Sequence, residues 1–187
     1  MPEYRSEKID PVLLRHNKNG VAWITLNRPK NYNALSSELM SKLQDLLDTI
    51  KKEADTKVVV IRGAGKGFCA GHDLQEMRIN NNENYLEKFF KQCSLLMQSI
   101  VDLPQPVIAQ VHGTAAAAGC QLVASCDLAI ADNNATFATP GVNIGLFCST
   151  PMVAVSRKVS RKKMMEMLLL GDLIDAKTAM EYGLINK

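Results

Sequence analysis

Two segments rich in glycine and alanine carry the groups of this sequence that could take part in chemistry. The first is GAGKGFCAGHDL, residues 63–74, and the second is HGTAAAAGCQ, residues 112–121. Small side chains at Gly71 and Ala118 would let a backbone N–H approach the oxygen of a ligand. If a helix begins near Ala118, its first N–H groups lack intrahelical partners and lie at the positive end of the helix dipole. Two such N–H groups that converge on one carbonyl oxygen would form an oxyanion hole.

Both segments have other interpretations. The small residues 115–119 could form a close-packed contact with a neighbouring helix. Glycine richness in residues 63–74 could indicate phosphate binding, but the P-loop pattern fails because Lys66 is followed by Gly67 rather than by serine or threonine. The dinucleotide fingerprint fails because Phe68 stands at its third glycine. From residue types alone, helix packing, an oxyanion hole and a nucleotide-binding module all remain open.

The histidines and cysteines do not indicate a metal site. The three histidines are scattered, and none pairs with a cysteine at the spacing of zinc ligands. The five cysteines are odd in number and lack a CxxC pair, which argues against a disulfide framework. We therefore expect reduced thiols, a cytoplasmic location and no bound metal. The residues concerned are His16, His72, His112, Cys69, Cys93, Cys120, Cys126 and Cys148.

The elements that must position the two segments follow from hydrophobic periodicity. Short β-branched runs predict strands, and apolar residues at helical spacing predict helices, with Ser36 as a helix N-cap. Strands are predicted at residues 12–15, 21–27, 57–63, 106–113 and 127–131. Helices are predicted at residues 36–54, 85–101 and 176–182, with a further one near Ala118 and helical structure after Pro151. The last three strands are continuous apolar runs, which is typical of strands buried on both faces. Strands that alternate with helices imply an α/β fold with right-handed crossovers.

Bulk composition is that of an ordinary globular chain. With 187 residues, of which 47% are hydrophobic and 22% charged, one domain over residues 1–187 is expected. The net charge of +3 is too small to indicate a nucleic-acid partner, and the basic run at residues 157–163 predicts a solvated face. Residues 1–10 contain no apolar signal region, and no run of about 18 apolar residues occurs, so neither secretion nor a membrane span is expected.

Five segments together resemble the crotonase superfamily, which is the enoyl-CoA hydratase/isomerase family, and occur in the family's order. They are WITLNRPKNYNALS, GKGFCAGHDL, PQPVIAQVHGTAAAAGCQLVASCDLAIA, ATFATPGVNIGL and MLLLGDLIDAKTAMEYGLINK. The stretches AAAAGCQLVASCD and GLFCSTP are similar to one branch in particular. The resemblance implies a ββα spiral core, with the carboxy-terminal helical segment of the family truncated after Lys187. It also implies an acyl-CoA ligand whose coenzyme A is part of the substrate, no separate cofactor, a place in lipid metabolism, and homotrimers or hexamers if that segment is present.

The resemblance assigns roles to particular residues. It implies that the backbone N–H groups of His72 and Ala118 form an oxyanion hole for a thioester enolate. We interpret the His72 side chain as that of a loop histidine near the surface, without a catalytic role. Asp73 is interpreted as a helix cap at least as readily as a ligand contact. Substrate contacts are implied for Lys30, Ala34, Ala70, Asp73, Leu74, Gln75 and Gly119.

The sequence departs from the family at its acid–base residues. Where a hydratase of this family has two glutamates, this chain has Gln121 and Gly141, and the isomerase glutamate is replaced near Ser149. Glutamine can orient water but cannot take its proton, and glycine has no side chain. We therefore expect an acyl-CoA enzyme that does not use the two-glutamate hydration. A non-catalytic acyl-CoA-binding or regulatory protein is the alternative, and a nucleotide-binding module is a weaker one.

Overall fold

The computed structural model describes residues 11–187. The prediction that no signal region precedes the fold concerns residues 1–10, which lie outside the described residues. The strands are β1 (Leu13–Lys18), β2 (Val21–Leu26), β3 (Val58–Gly63), β4 (Val107–Val111), β5 (Thr114–Ala116), β6 (Leu128–Ala131), β7 (Thr136–Ala138) and β8 (Ile174–Asp175). The helices are α1 (Ser37–Ile50), α2 (Leu74–Ile79), α3 (Glu83–Val101), α4 (Ala118–Ser125), α5 (Ser149–Val155), α6 (Arg161–Leu170) and α7 (Ala176–Glu181). Two short 3-10 turns occupy Pro29–Asn31 and Pro140–Ile144.

Five strands form the larger sheet in the order β1-β2-β3-β4-β6. The β1–β2 hairpin is antiparallel, and each following pair is parallel. Parallel neighbours need a crossover connection, and α1, α3 and α4 provide one between successive parallel strands. The predicted α/β class and its alternation of strands with helices are therefore confirmed.

Local signals explain where the two longest helices begin. Ser36 caps α1, as predicted, because its side chain accepts a hydrogen bond from the N–H of Leu39 at 3.2 Å. Asn82 caps α3 in the same way through the N–H of Tyr85, so α3 begins at Glu83 rather than at the predicted residue 85. α1 ends at Ile50 rather than near residue 54.

The central strand of the larger sheet is more deeply buried than the strand at its edge. Val59 and Ile61 of β3 are fully buried and Val60 is 7% exposed, which confirms the prediction of a strand covered on both faces. The same prediction for residues 127–131 is wrong, since Leu128 and Ile130 of β6 are 45% and 47% exposed. β6 lies at the end of the strand order, where only the face of Ala129 packs against the core.

A second, three-stranded sheet in the order β5-β7-β8 leads into the candidate site. β5 ends at Ala116 and α4 begins at Ala118, so a single residue joins strand to helix. This abrupt turn fixes the start of α4 against the loop that follows β3.

Candidate functional site

The start of α4 presents a backbone N–H without a protein acceptor. Ala117 precedes α4 with φ 49° and ψ −119°, and its own N–H donates to the carbonyl of Ala138 at 2.9 Å. After Ala117, the next N–H that donates to a residue before α4 is that of Gln121, which bonds the carbonyl of Ala117 at 3.0 Å. The N–H of Ala118 has no hydrogen-bond acceptor within residues 11–187. Because all eight residues of α4 are buried, this N–H is a free donor at the positive end of a buried helix.

The N–H of His72 is left free by the way its strand-like segment pairs. The N–H of Leu35 donates to the carbonyl of Gly71 at 2.7 Å, and the N–H of Asp73 donates to the carbonyl of Leu35 at 3.0 Å. These two bonds form an isolated parallel bridge centred on His72. In such a bridge the central N–H points away from the partner strand. It has no acceptor in the part of the chain that the structure describes.

The two free N–H groups belong to segments that touch. A Cβ added to Gly71 would lie 2.9 Å from the Cβ of Ala117 and 3.2 Å from the N of Ala118. Gly71 also has φ 103°, a conformation that side chains disfavour. The close packing indicated by the small residues is therefore a contact between the loop after β3 and the start of α4.

His72 is half-buried, and its side chain packs inward with a buried Nε2 rather than lying on the surface as predicted. The imidazole packs edge-on against Phe89 and Phe90 of α3, with centroid distances of 5.4 and 5.2 Å. Its Nε2 is buried and has no partner among the described residues. Burial lowers the pKa of His72 to about 4, so the ring is neutral at pH 7. Sequence reasoning missed this packing because α3 reaches His72 from a distant part of the chain.

Gln121 lies one helical turn after Ala118, and the residue is 5% exposed. The side chain lines a cavity of about 560 Å³ between α3, α4 and α5. Its Oε1 is buried without a hydrogen-bond partner among residues 11–187. A buried amide oxygen in this state favours a hydrogen-bond donor from a ligand or water. The amide can orient such a group but cannot remove its proton near neutral pH.

Gly141 lies in a confined position. A Cβ at this residue would lie 2.9 Å from both the Sγ of Cys148 and the carbonyl oxygen of Leu146. The N–H of Gly141 donates to that Sγ at 3.3 Å. Burial raises the pKa of the Cys148 thiol, so the group beside Gly141 is a neutral thiol rather than a base. Gly141, at which the family resemblance predicts a glutamate in hydratases, thus has neither a carboxylate nor room for one in this arrangement.

The residues that were predicted to contact the substrate lie in different surroundings. Ala70 and Asp73 lie within two residues of His72 in the loop. The carbonyl of Ala34 accepts a 2.6 Å hydrogen bond from the Arg28 side chain, which also pairs with Asp73. Asp73 caps α2 by accepting from the N–H of Glu76 at 3.1 Å, so its capping interpretation is confirmed. The exposed side chains are those of Lys30, Ala70, Leu74 and Gln75. Gly119 packs directly against Cys69.

Residues 16–187 match the protein family described as Enoyl-CoA hydratase/isomerase. The chain belongs to this family. It is 47% identical over 173 residues to the mitochondrial enoyl-CoA hydratase domain-containing protein 3 of Danio rerio, covering 92% of this chain and 60% of that protein. The human protein of the same name is 47% identical over 169 residues, covering 90% of this chain and 56% of the human protein. The chain therefore spans about 60% of the length of these curated relatives.

Solved structures of family members have the same fold. An enoyl-CoA hydratase from Mycobacterium smegmatis superimposes with a TM-score of 0.93 at 49% identity, over 95% of this chain and 69% of that one. Human enoyl-CoA hydratase domain-containing protein 3 superimposes with a TM-score of 0.91 at 44% identity, over 94% and 70% of the two chains. The expected crotonase-like fold is confirmed, as is the similarity to the branch of domain-containing protein 3. Family membership also replaces the nucleotide-binding interpretation of the glycine-rich loop.

The predicted cytoplasmic location is contradicted by these comparisons, since the relatives are named as mitochondrial proteins. The prediction rested on the unpaired cysteines. All five cysteines are indeed free and buried. Free thiols show that no disulfide holds the fold, but they do not distinguish one reducing compartment from another. Among residues 11–187, no three histidine, cysteine or acidic side chains cluster as metal ligands. None of the described helices is both long and apolar enough to cross a membrane.

Sequence reasoning gave no role to Arg28 and Asn33, whose side chains form hydrogen bonds next to the candidate site. Asn33 is fully buried with φ 54°, and both its side-chain oxygen and nitrogen are hydrogen-bonded. Asparagine tolerates a left-handed backbone better than most residues. The signal that could have indicated them is the turn-rich stretch RPKNYNA between a strand and a helix.

Proposed function

We propose that this chain binds an acyl-CoA thioester and stabilises negative charge on the thioester oxygen. The N–H groups of His72 and Ala118 would be the two donors. The observation that carries the proposal is that both N–H groups lack acceptors within the described fold while their segments are in contact. Donors fixed before the reaction stabilise the enolate without reorganisation, and loss of one typically costs roughly 10²–10³ in rate. Coenzyme A would enter as part of the substrate.

The reaction we propose is not the two-glutamate hydration. Gln121 provides an amide where a carboxylate would take a proton from water, and Gly141 lies against Cys148 with no room for a glutamate. Decarboxylation or another thioester reaction needs less from the protein, because the substrate itself supplies the leaving group or base. The same two observations also favour the second candidate, which is an acyl-CoA-binding protein without turnover.

Calorimetric titration with butyryl-CoA, free coenzyme A and ATP tests the binding proposal. We expect butyryl-CoA to bind more tightly than coenzyme A, with ATP weaker than both. Equal binding of butyryl-CoA and coenzyme A would contradict it, because the thioester oxygen would then contribute nothing. Incubation with crotonyl-CoA separates the two candidates from ordinary hydration, which should not occur at the rates usual for enzymes.

We also propose assembly into trimers or pairs of trimers when the carboxy-terminal segment of the family is present, as the family resemblance implies. Apolar side chains at Leu169, Leu170 and Leu173 support association, since they are 57%, 56% and 63% exposed. Light scattering at several concentrations should give a mass above that of one chain. A strictly monomeric mass would contradict this proposal and leave the ligand site unaffected.

A further inference from the structure

We infer that Arg28 and Asn33 are positioning residues that hold the His72 N–H in the direction of the thioester oxygen. This inference rests on the proposed oxyanion hole. The two residues lie in the clamp segment, which we define as residues 28–35 between β2 and α1. They contact neither of the free N–H groups directly and act through the loop that carries His72.

Asn33 ties the clamp segment to the first half of that loop. Its Oδ1 accepts a hydrogen bond from the N–H of Arg28 at 2.9 Å. Its Nδ2 donates to the carbonyls of Ala64 and Gly67, each at 2.8 Å. The residue is fully buried, and both hydrogens of the amide are used. Asn33 therefore fixes the loop after β3 with a geometry that no apolar side chain of similar size can reproduce.

Arg28 ties the clamp segment to the second half of the loop. Its Nη2 lies 2.8 Å from Oδ2 of Asp73, the residue that follows His72. Its Nη1 donates to the carbonyl of Ala34 at 2.6 Å. The planar guanidinium can serve both acceptors at once, which a lysine ammonium does with less definite geometry.

Backbone hydrogen bonds from the clamp segment hold the residues on both sides of His72. The N–H of Ala70 donates to the carbonyl of Tyr32 at 3.0 Å, and Leu35 bonds both Gly71 and Asp73. Every residue from Ala70 to Asp73 except His72 itself is thus hydrogen-bonded to the clamp segment through its backbone. The peptide plane that carries the His72 N–H is fixed from both sides, while its donor remains free.

Backbone strain is concentrated in the same segments. Four non-glycine residues within 11–187 have positive φ, namely Asn19, Tyr32, Asn33 and Ala117. Three of the four belong to the clamp segment or immediately precede Ala118. Such conformations persist only where surrounding contacts determine them, and they cluster at functional sites. Side-chain hydrogen bonds hold Asn33 in this unfavourable backbone conformation, and they fix the loop that carries the His72 donor.

A ligand pair that differs only in the carbonyl separates positioning from general folding. Butyryl-CoA has the thioester oxygen, and S-butyl-CoA is the thioether that lacks it. The ratio of their dissociation constants reports the oxyanion donors alone, because all other contacts are shared. For the wild type we expect the thioether to bind at least about 10-fold more weakly.

Arg28→Gln and Asn33→Ser should lower this ratio to about 2 or less while leaving thioether binding within about 2-fold. Arg15→Gln is the matched control, since it breaks the ion pair between Arg15 of β1 and Glu53, and the two arginine side chains have similar exposure at 23% and 18%. The control should keep the wild-type ratio. As a second readout, the infrared carbonyl stretch of bound ¹³C-butyryl-CoA should move towards its free value in both clamp variants.

The outcomes are distinct. A wild type that does not discriminate between the two ligands contradicts the proposed oxyanion hole, and the inference falls with it. A wild type that discriminates, with clamp variants that discriminate equally well, overturns the inference alone. If Arg28→Gln does not fold, Arg28→Lys is the substitute, because it keeps the positive charge but loses the planar guanidinium. It should give an intermediate ratio of dissociation constants. An unchanged ratio in Arg28→Lys and Asn33→Ser would then overturn it.

Discussion

Gly119 lies so close to Cys69 that a Cβ on Gly119 would be 2.1 Å from the Cys69 carbonyl oxygen. The same carbonyl accepts a hydrogen bond from the N–H of Ala116 at 2.9 Å, so it cannot move without breaking the contact between β5 and the loop. The first turn of α4, with its free Ala118 N–H, is thereby pressed against the segment that leads to His72. Glycine at residue 119 is required by this approach of two backbones.

Gly119→Ala should destabilise the fold by about 3 kcal/mol or more, because the added methyl meets backbone rather than a flexible side chain. The change should also abolish discrimination between butyryl-CoA and S-butyl-CoA. Urea unfolding gives the first quantity and calorimetry the second. Gly67→Ala, in the loop after β3, is the control, since its nearest contacts are at 3.5 Å or more, and it should cost about 1 kcal/mol or less. Equal costs at the two glycines would contradict the argument.

Ala117→Gly should stabilise the protein. Alanine at φ 49° and ψ −119° is strained by its Cβ, and glycine removes that strain. The net gain should be about 1 kcal/mol, or about 2–4 °C in melting temperature for a chain of this size. Ala109→Gly, in a buried strand of ordinary geometry, should instead lower the melting temperature. A melting temperature for Ala117→Gly below that of the wild type would contradict the prediction.

The buried imidazole of His72 should make folding stability depend on pH. Its pKa is about 4 in the folded protein and near 6.5 in the unfolded chain, so the unfolded state binds more protons between these values. Stability should therefore fall as pH falls from about 6.5 to about 4, by on the order of 3 kcal/mol. Below about 4 the folded state also takes up the proton, and this contribution no longer changes.

His72→Phe tests this assignment, because phenylalanine can pack against Phe89 and Phe90 without titrating. Urea midpoints measured at pH 7.5 and pH 4.5 should differ much less in the variant than in the wild type. At pH 7.5 the variant should retain discrimination between thioester and thioether, since the donor is backbone. Loss of that discrimination would show that the imidazole, rather than the N–H alone, contributes to the site.

The packing of Gly141 against Cys148 gives a prediction for the residue at which the family resemblance implies the second glutamate. Gly141→Ala should destabilise the fold by about 1–3 kcal/mol, since its Cβ would meet both Cys148 Sγ and the Leu146 carbonyl. Adding Cys148→Ala should restore only part of the loss, because the Leu146 carbonyl remains at 2.9 Å. The double variant Gln121→Glu with Gly141→Glu should consequently fail to hydrate crotonyl-CoA. Hydration by that variant at ordinary enzyme rates would show that the segment rearranges.

Local pattern was enough to predict much of the fold. The β-branched run before Gly63, the N-cap at Ser36 and the alternation of strands with helices each depend on neighbours within a few residues. Each segment that indicated the family is likewise a continuous stretch of the sequence. Element ends were less well predicted, as at α3, where the Asn82 cap adds two residues to the helix.

The sequence by itself determined the class of fold, the family, and the small residues that leave backbone donors free. Only the tertiary structure decided that the His72 ring is buried against Phe89 and Phe90, that one face of β6 is exposed, and that Asn33 reaches Ala64 and Gly67. The contacts of His72 and Asn33 join residues separated by 17 or more positions. The exposure of β6 depends instead on which strands lie beside it in the sheet. Residue type and spacing specify what a segment can form, whereas the path of the chain specifies what that segment meets.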